Sequence, residues 1–241
     1  MSTAKCTTLG YTTAVILNDM AVSMLENGRI TQAAETFKDA IKILKQPQYL
    51  YPHEKTHKTL EKARRRGTST ESIAFLTQLK IISISSSSSL SDSFFSAHNQ
   101  EDCDPSIALL RVDCEEDFEE NDLELFIAVL FFNFAVTHLC QAMKLNKHQK
   151  KAKLLDAASE LLSLSCQILS LMYEDSQDPF MLPKVVVASM TVLKTLVKTL
   201  ELTGRFEEAI SCASTLVHLS KVAPQAFEHE FMRNSQHAGA A

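Results

Sequence analysis

Apolar residues recur at helical spacing along most of the chain. Over residues 11–45 the pattern predicts two helices. In the first, Ala14, Leu17, Ala21, Met24 and Leu25 share a face. Gly28 follows, a residue suited to the left-handed turn that closes a helix. Thr31 is placed to cap the second, which runs through Ala33, Ala34, Phe37, Ala40, Ile41 and Leu44 until Pro47 stops it. From Leu123 onward the helical signal is strong again: Leu123–Lys144 pairs with Leu154–Tyr173, and Met181–Leu202 with Phe206–Val222. Asp178 before Pro179, together with Pro183, separates these pairs, and Gln236–Ala241 reads as a frayed end.

Between the two helical regions the pattern changes. Residues 53–66 hold six bases and two acids and almost no apolar face. Residues 71–80 suit a short helix or an extended piece. Ser83 and Ser85–Ser89 begin a serine-rich stretch that reaches about Gln100. Such a tract buries too little apolar surface to offset chain entropy, so a mobile loop is expected there. Ile107–Val112 is a short apolar run compatible with extended structure. The chain therefore divides into a first helix–turn–helix unit at 11–47 and an insert at 48–121. Two further helix pairs follow at 122–222, and a tail at 223–241.

Composition narrows the class. Five glycines and six prolines are too few for the tight turns of an all-β chain. The net charge of −5 conceals an asymmetry, because residues 101–124 hold eleven acids and only one base, Arg111. Such a dipole steers partners without defining a fold. None of the six cysteines forms a CxxC pair, and Cys140, Cys166 and Cys212 fall within apolar helical patterns, where a thiol acts as a small hydrophobe. The first residues lack the apolar core of a signal peptide, so an intracellular, reducing setting is expected, cytoplasmic or nuclear.

One segment recurs. Gly28-Arg29-Ile30-Thr31-Gln32-Ala33 and Gly204-Arg205-Phe206-Glu207-Glu208-Ala209 share glycine, arginine, an apolar residue, two polar residues and alanine, each between two amphipathic helices. With Leu17, Met20, Ala21 and Met24 before it and Ala33, Phe37 and Ala40 after it, the first copy resembles the tetratricopeptide repeat. In physical terms, small residues at Ala21, Ala33 and Ala40 let two backbones approach while Leu17, Met24 and Phe37 fill the flanking space. A second, irregular copy uses Phe131, Phe134, Ala135 and His138, then Ala158, Leu162 and Ser165. Ala135 and Ala158 stand 23 positions apart, against 12 for Ala21 and Ala33, so a longer turn is expected over the basic stretch Lys144–Lys153. The third copy has Leu193, Leu196, Val197, Leu200, Gly204 and Ala209. It departs from the pattern at Ala213 and Leu216.

The resemblance implies an all-α fold: αα-hairpin repeats wound into a right-handed superhelix, with a long, partly disordered insert. It also implies a non-catalytic scaffold that binds a peptide or helix of a partner protein in a concave groove, with no cofactor. By position, that groove would be lined by Asn18, Val22 and Leu25, then Phe132, Val136 and Leu139, then Lys194, Lys198 and Glu201. Too few of these are cationic or amide side chains for a carboxylate clamp. The apolar middle positions suit a helical ligand, the protein's own insert or simple interhelix core. With three pairs and no polar cap, self-association is a further expectation.

Other chemistries leave weaker traces. His53-Glu54-Lys55-Thr56-His57 matches the HExxH pattern of a zinc-dependent hydrolase, with Glu71 a conceivable third ligand. Its surroundings are basic and poor in apolar residues, which favours a solvated helix. Leu125–Met143 approaches the length and composition of a single membrane span followed by lysines, but Asn133, Thr137, His138 and Gln141 interrupt it and a core helix accounts for it better. Lys62–Arg66 suits a nuclear-import signal or a phosphate contact, but basic runs are usually solvated faces and the chain is acidic overall, which argues against nucleic-acid binding. The acidic stretch 113–124 lacks the glycine of a calcium loop, and no phosphate-binding or serine-hydrolase motif is present.

Overall fold

The computed structural model describes residues 3–45, 78–84, 107–113, 120–175 and 181–238. These comprise helices α1 (Thr3–Glu26) and α2 (Ile30–Leu44), strands β1 (Gln78–Ile84) and β2 (Ile107–Asp113), and helices α3 (Glu120–Met143), α4 (His148–Asp175), α5 (Met181–Leu202) and α6 (Phe206–Ala238). The framework is all-α. The insert adds one departure from it, an antiparallel ribbon in which Gln78 pairs with Asp113 and Ile84 with Ile107.

The helices form three pairs, α1–α2, α3–α4 and α5–α6. Each pair packs chiefly within itself and against its neighbour in sequence, with α3 resting on α2 and α1, and α5 on α4. The positions expected to permit close approach do so: Ala21, Ala33, Ala40 and Ala135 are fully buried, Ala158 and Ala209 nearly or fully so, and Phe37 fills the space beside them. Leu17 and Phe131 are half-buried. Across the α2–α3 contact, Phe37 and Phe134 lie 6.1 Å apart, and across α1–α3 Tyr11 meets Phe126 edge-on at 5.2 Å.

The recurrent hexapeptide adopts one conformation twice. Gly28 and Gly204 have φ of 72° and 75°. Gly28 N–H donates to Leu25 C=O at 2.9 Å and Arg29 N–H to Met24 C=O at 2.8 Å. Gly204 N–H donates to Glu201 C=O at 3.1 Å and Arg205 N–H to Leu200 C=O at 2.9 Å. This double bond to the last turn is the Schellman closure of a helix. The following alanine amides, of Ala33 and Ala209, then donate to Arg29 and Arg205 C=O, both at 3.0 Å, and open the next helix.

The two copies differ in what covers them. Ile30 and Ala34 on α2 are buried beside α3, whereas the matching Phe206 and Ile210 on α6 are exposed, as is Val217. Among the described residues nothing stacks on α6 as α3 stacks on α2.

Several boundaries differ from the sequence reading: α1 begins at Thr3 rather than near residue 11, and Thr31 does not cap α2, which starts at Ile30 after Arg29 with no side-chain cap. The α3–α4 turn occupies only Lys144–Lys147, because His148–Lys153 belong to α4. Gln149, Lys150, Lys151 and Ala152 are good helix formers, so the extra residues lengthen helices rather than the turn. The last helix does not stop at 222 but runs through Pro224 to Ala238. In the insert, the run Ile107–Val112, read as compatible with extended structure, is strand β2, and β1 begins at Gln78, within the segment 71–80 read as a short helix or extended piece. Its serine tract beyond Ser83, the basic segment 53–66 and most of the acidic run lie outside the described residues.

Both glycine turns admit a test. No atom lies within 4 Å of a Cβ built on Gly28 or Gly204, so alanine there meets no clash and only the left-handed backbone opposes it. Gly28→Ala and Gly204→Ala are each expected to lower unfolding free energy by about 1 kcal/mol, and asparagine at either site by less, as read from urea denaturation. A second test concerns His138, half-buried on α3 with its ring 4.4 Å from Phe134. Burial pushes its pKa below 6.5; a hydrogen bond with Gln141 opposes this and nearby Lys38 adds to it. The unfolded chain therefore takes up the proton first as pH falls. The stability tied to neutral His138 is intact above about pH 6.5 and declines below it. His138→Gln is expected to reduce the fall in urea midpoint between about pH 7 and pH 5.5.

Candidate functional site

The face shared by α1 and α3 is the position of the expected groove, and the structure fills it. Asn18, Val22 and Leu25 on α1, and Phe132, Val136 and Leu139 on α3, are all buried. Strand β2 packs against both helices. These six positions are thus interior rather than an open trough. On α5, Lys194, Lys198 and Glu201 are exposed, and Lys198 pairs with Glu201 at 3.0 Å. Of the first two groups, Asn18 meets α3 at Asn133, next to Phe132 in sequence; the third group lies on the surface.

The centre of the arrangement is Asn133. It stands on α3 beside Phe132 and is 0 % exposed, as is Asn18. Its Oδ1 accepts from Leu110 N–H at 3.0 Å, and its Nδ2 donates to Leu110 C=O at 2.7 Å. The same Nδ2 donates to Asn18 Oδ1 at 3.1 Å. One amide thus ties α1, α3 and β2 together. Leu110 is opposite Ile81 in the ribbon, and its main-chain groups turn away from β1 toward α3. Asn133 takes the place of a further strand along that edge, satisfying polar groups that burial would otherwise leave unpaired.

The strand is fixed further at both neighbours of Leu110. Leu109, like Leu110, is fully buried. Arg111 reaches α1, where Nη2 donates to Ser23 Oγ at 2.8 Å and to Glu26 Oε2 at 2.9 Å. Its Nε is buried without a partner. This pair is only partly exposed at both ends, so it anchors the strand more firmly than a freely solvated bridge would. Beyond Ser23, an open cleft of about 480 Å³ runs along the outer side of α1, lined by Ile16, Asp19, Met20, Ser23, Met24, Asn27 and Arg29.

Asn133 is the residue that sequence reasoning passed over, treating it only as an interruption of an apolar segment. The signal was available: an asparagine inside the most apolar helix needs polar partners from another element. Helices α3 and α4 are each long and apolar enough to cross a membrane, but 72 % of the α3 span is buried within the protein, against 33 % for α4.

Among the described residues, three thiols lie in apolar surroundings. Burial pushes the Cys140 thiol to about 11 and the Cys166 thiol to about 12; Cys212 is also raised by burial. These thiols are protonated at neutral pH and correspondingly unreactive. No cluster of three or more His, Cys, Asp or Glu suited to a metal occurs among the described residues; His53, Glu54, His57 and Glu71 lie outside them. No protein-family model, curated protein or solved structure matches this chain.

The Asn133 junction predicts a large loss on truncation. Asn133→Ala leaves Leu110 N–H and C=O buried and unpaired, so unfolding free energy is expected to fall by about 2–4 kcal/mol. Exchange of the Leu110 amide hydrogen should accelerate far more than that of Ala33.

Proposed function

We propose that this chain is a non-catalytic protein-interaction module of the tetratricopeptide type, whose α1–α3 face accepts an extended peptide segment. Strand β2 occupies that face as the protein's own stand-in for such a segment. The observation that carries the reading is the grip of Asn133 on both main-chain groups of Leu110. An amide that reads backbone rather than side chain recognises extended structure with little regard for its sequence. The apolar positions around it would accept alternate side chains, and Ser23 with Glu26 would favour a basic residue next to the gripped one, as Arg111 does here.

The repeat assignment draws support from the twin Schellman turns at Gly28 and Gly204, from the buried small residues, and from helix pairs that pack on sequence neighbours. Together these describe units that bury a common core only by stacking. Binding in trans would then exchange one strand for another, with partner affinity reduced by the cost of releasing β2.

The reading is tested by taking β2 away. In a variant with residues 105–115 replaced by a Gly/Ser linker of equal length, a fluorescein-labelled peptide of the native 105–115 sequence is expected to bind. Fluorescence anisotropy should give a micromolar Kd, about tenfold weaker once Asn133→Ala is added, and the wild-type chain should not bind. A linker variant that keeps its helical circular dichroism yet ignores the peptide would refute the proposal.

A further inference from the structure

Helix α4 carries a second pattern that the groove does not use. Leu154, Ala157, Leu161, Leu164, Ile168 and Leu171 alternate at spacings of three and four residues, the seam of a two-helix coiled coil. Leu154, Leu161 and Ile168 are half-buried against the core, whereas Leu164 is 45 % and Leu171 62 % exposed. The seam is thus rooted in the fold and open along its crest. Cys166 and Ser159, which faces Arg205 at 3.1 Å, lie on a different side of the helix, so the α6 turn does not cover the seam.

The charges on α4 oppose its own dipole. Lys150 and Lys151 stand in the first turn, which has no acid, and the last turn has no base but contains Glu174. Positive charge at a helix N-terminus and negative charge at its C-terminus are both unfavourable for the isolated helix. An antiparallel neighbour of the same sequence reverses that disadvantage, because each basic start then lies beside an acidic end.

We infer that the α4 seam is an interface between two copies of this chain, paired antiparallel about a two-fold axis. One register satisfies every position. Leu161 packs opposite the partner's Leu164, Ala157 opposite the partner's Ile168, and Leu154 opposite the partner's Leu171. The exposed flank of the seam then sets Lys153 beside the partner's Glu174 and Glu160 beside the partner's Gln167. By symmetry each contact occurs twice, as an isologous interface requires. All four flanking side chains are exposed and available. The inference stands on α4 alone and does not depend on the reading of the α1–α3 face.

Sedimentation equilibrium of the full chain tests it. The wild type is expected to dimerise reversibly with a dissociation constant of order 10 µM. Leu164→Glu and Leu171→Glu should each remain monomeric with unchanged circular dichroism. Glu174→Lys should weaken the dimer about tenfold by placing like charges together at both ends, and adding Lys153→Glu should restore it. A wild type still monomeric at about 200 µM overturns the inference, whether another segment or a different protein covers the seam. So does a dimer indifferent to Leu164→Glu, or a charge swap that fails to restore pairing.

Discussion

A single amide holds two helices and a strand to one another. Asn133 can make four hydrogen bonds and makes three, all to groups on other elements. In an interior otherwise lined by Phe126, Leu130, Phe132 and Val136, apolar packing alone would tolerate several placements of β2, since it is not directional. The amide tolerates one. A shift of β2 by a residue would withdraw Leu110 N–H and C=O from it and present the opposite side of the strand. Apolar burial thus supplies the adhesion, and Asn133 selects the register.

The helical framework follows a different logic, in which shape takes precedence over polarity. Alanines at 21, 33, 40 and 135 bring backbones close, and the paired glycine turns close their helices with the same left-handed backbone twice. Arg205 then binds its turn to the preceding pair through Ser159, while Arg29 lies exposed at the rim of the α1 cleft. The same hexapeptide therefore closes a hairpin in both places, but its arginine bonds to the neighbouring pair only in the second copy.

Much of this framework was legible in residue spacing. Gly28 and Gly204 marked their turns because few residues other than glycine tolerate φ near 70°, and the alanine positions marked close packing. The bounds Met181–Leu202 followed from apolar period, with Pro179 before the helix and Pro183 in its first turn. The end of α6 escaped notice because Pro224 and the polar residues after it resemble a stop, yet the helix continues. The site was legible only in part. Asn18, Val22, Leu25, Phe132, Val136 and Leu139 are all buried, an outcome their apolar surroundings allowed, but the strand that packs on α1 and α3 comes from a distant insert. That pairing spans 115 residues between Asn18 and Asn133, and local periodicity carries no information about contacts at such separation.

The uncovered side of α6 bears on how the molecule comes apart. In a stack whose members touch mainly their neighbours, free energy is distributed along the series rather than pooled in one centre. Helix α2 is clasped from both directions, whereas α6 leaves Phe206, Ile210 and Val217 facing water. Loosening should accordingly begin at α6 and advance inward toward α4, with the α1–α3–β2 junction the last to yield. The terminal helix would then act as a sacrificial hem, opening and reclosing many times while the strand-bearing half keeps its shape.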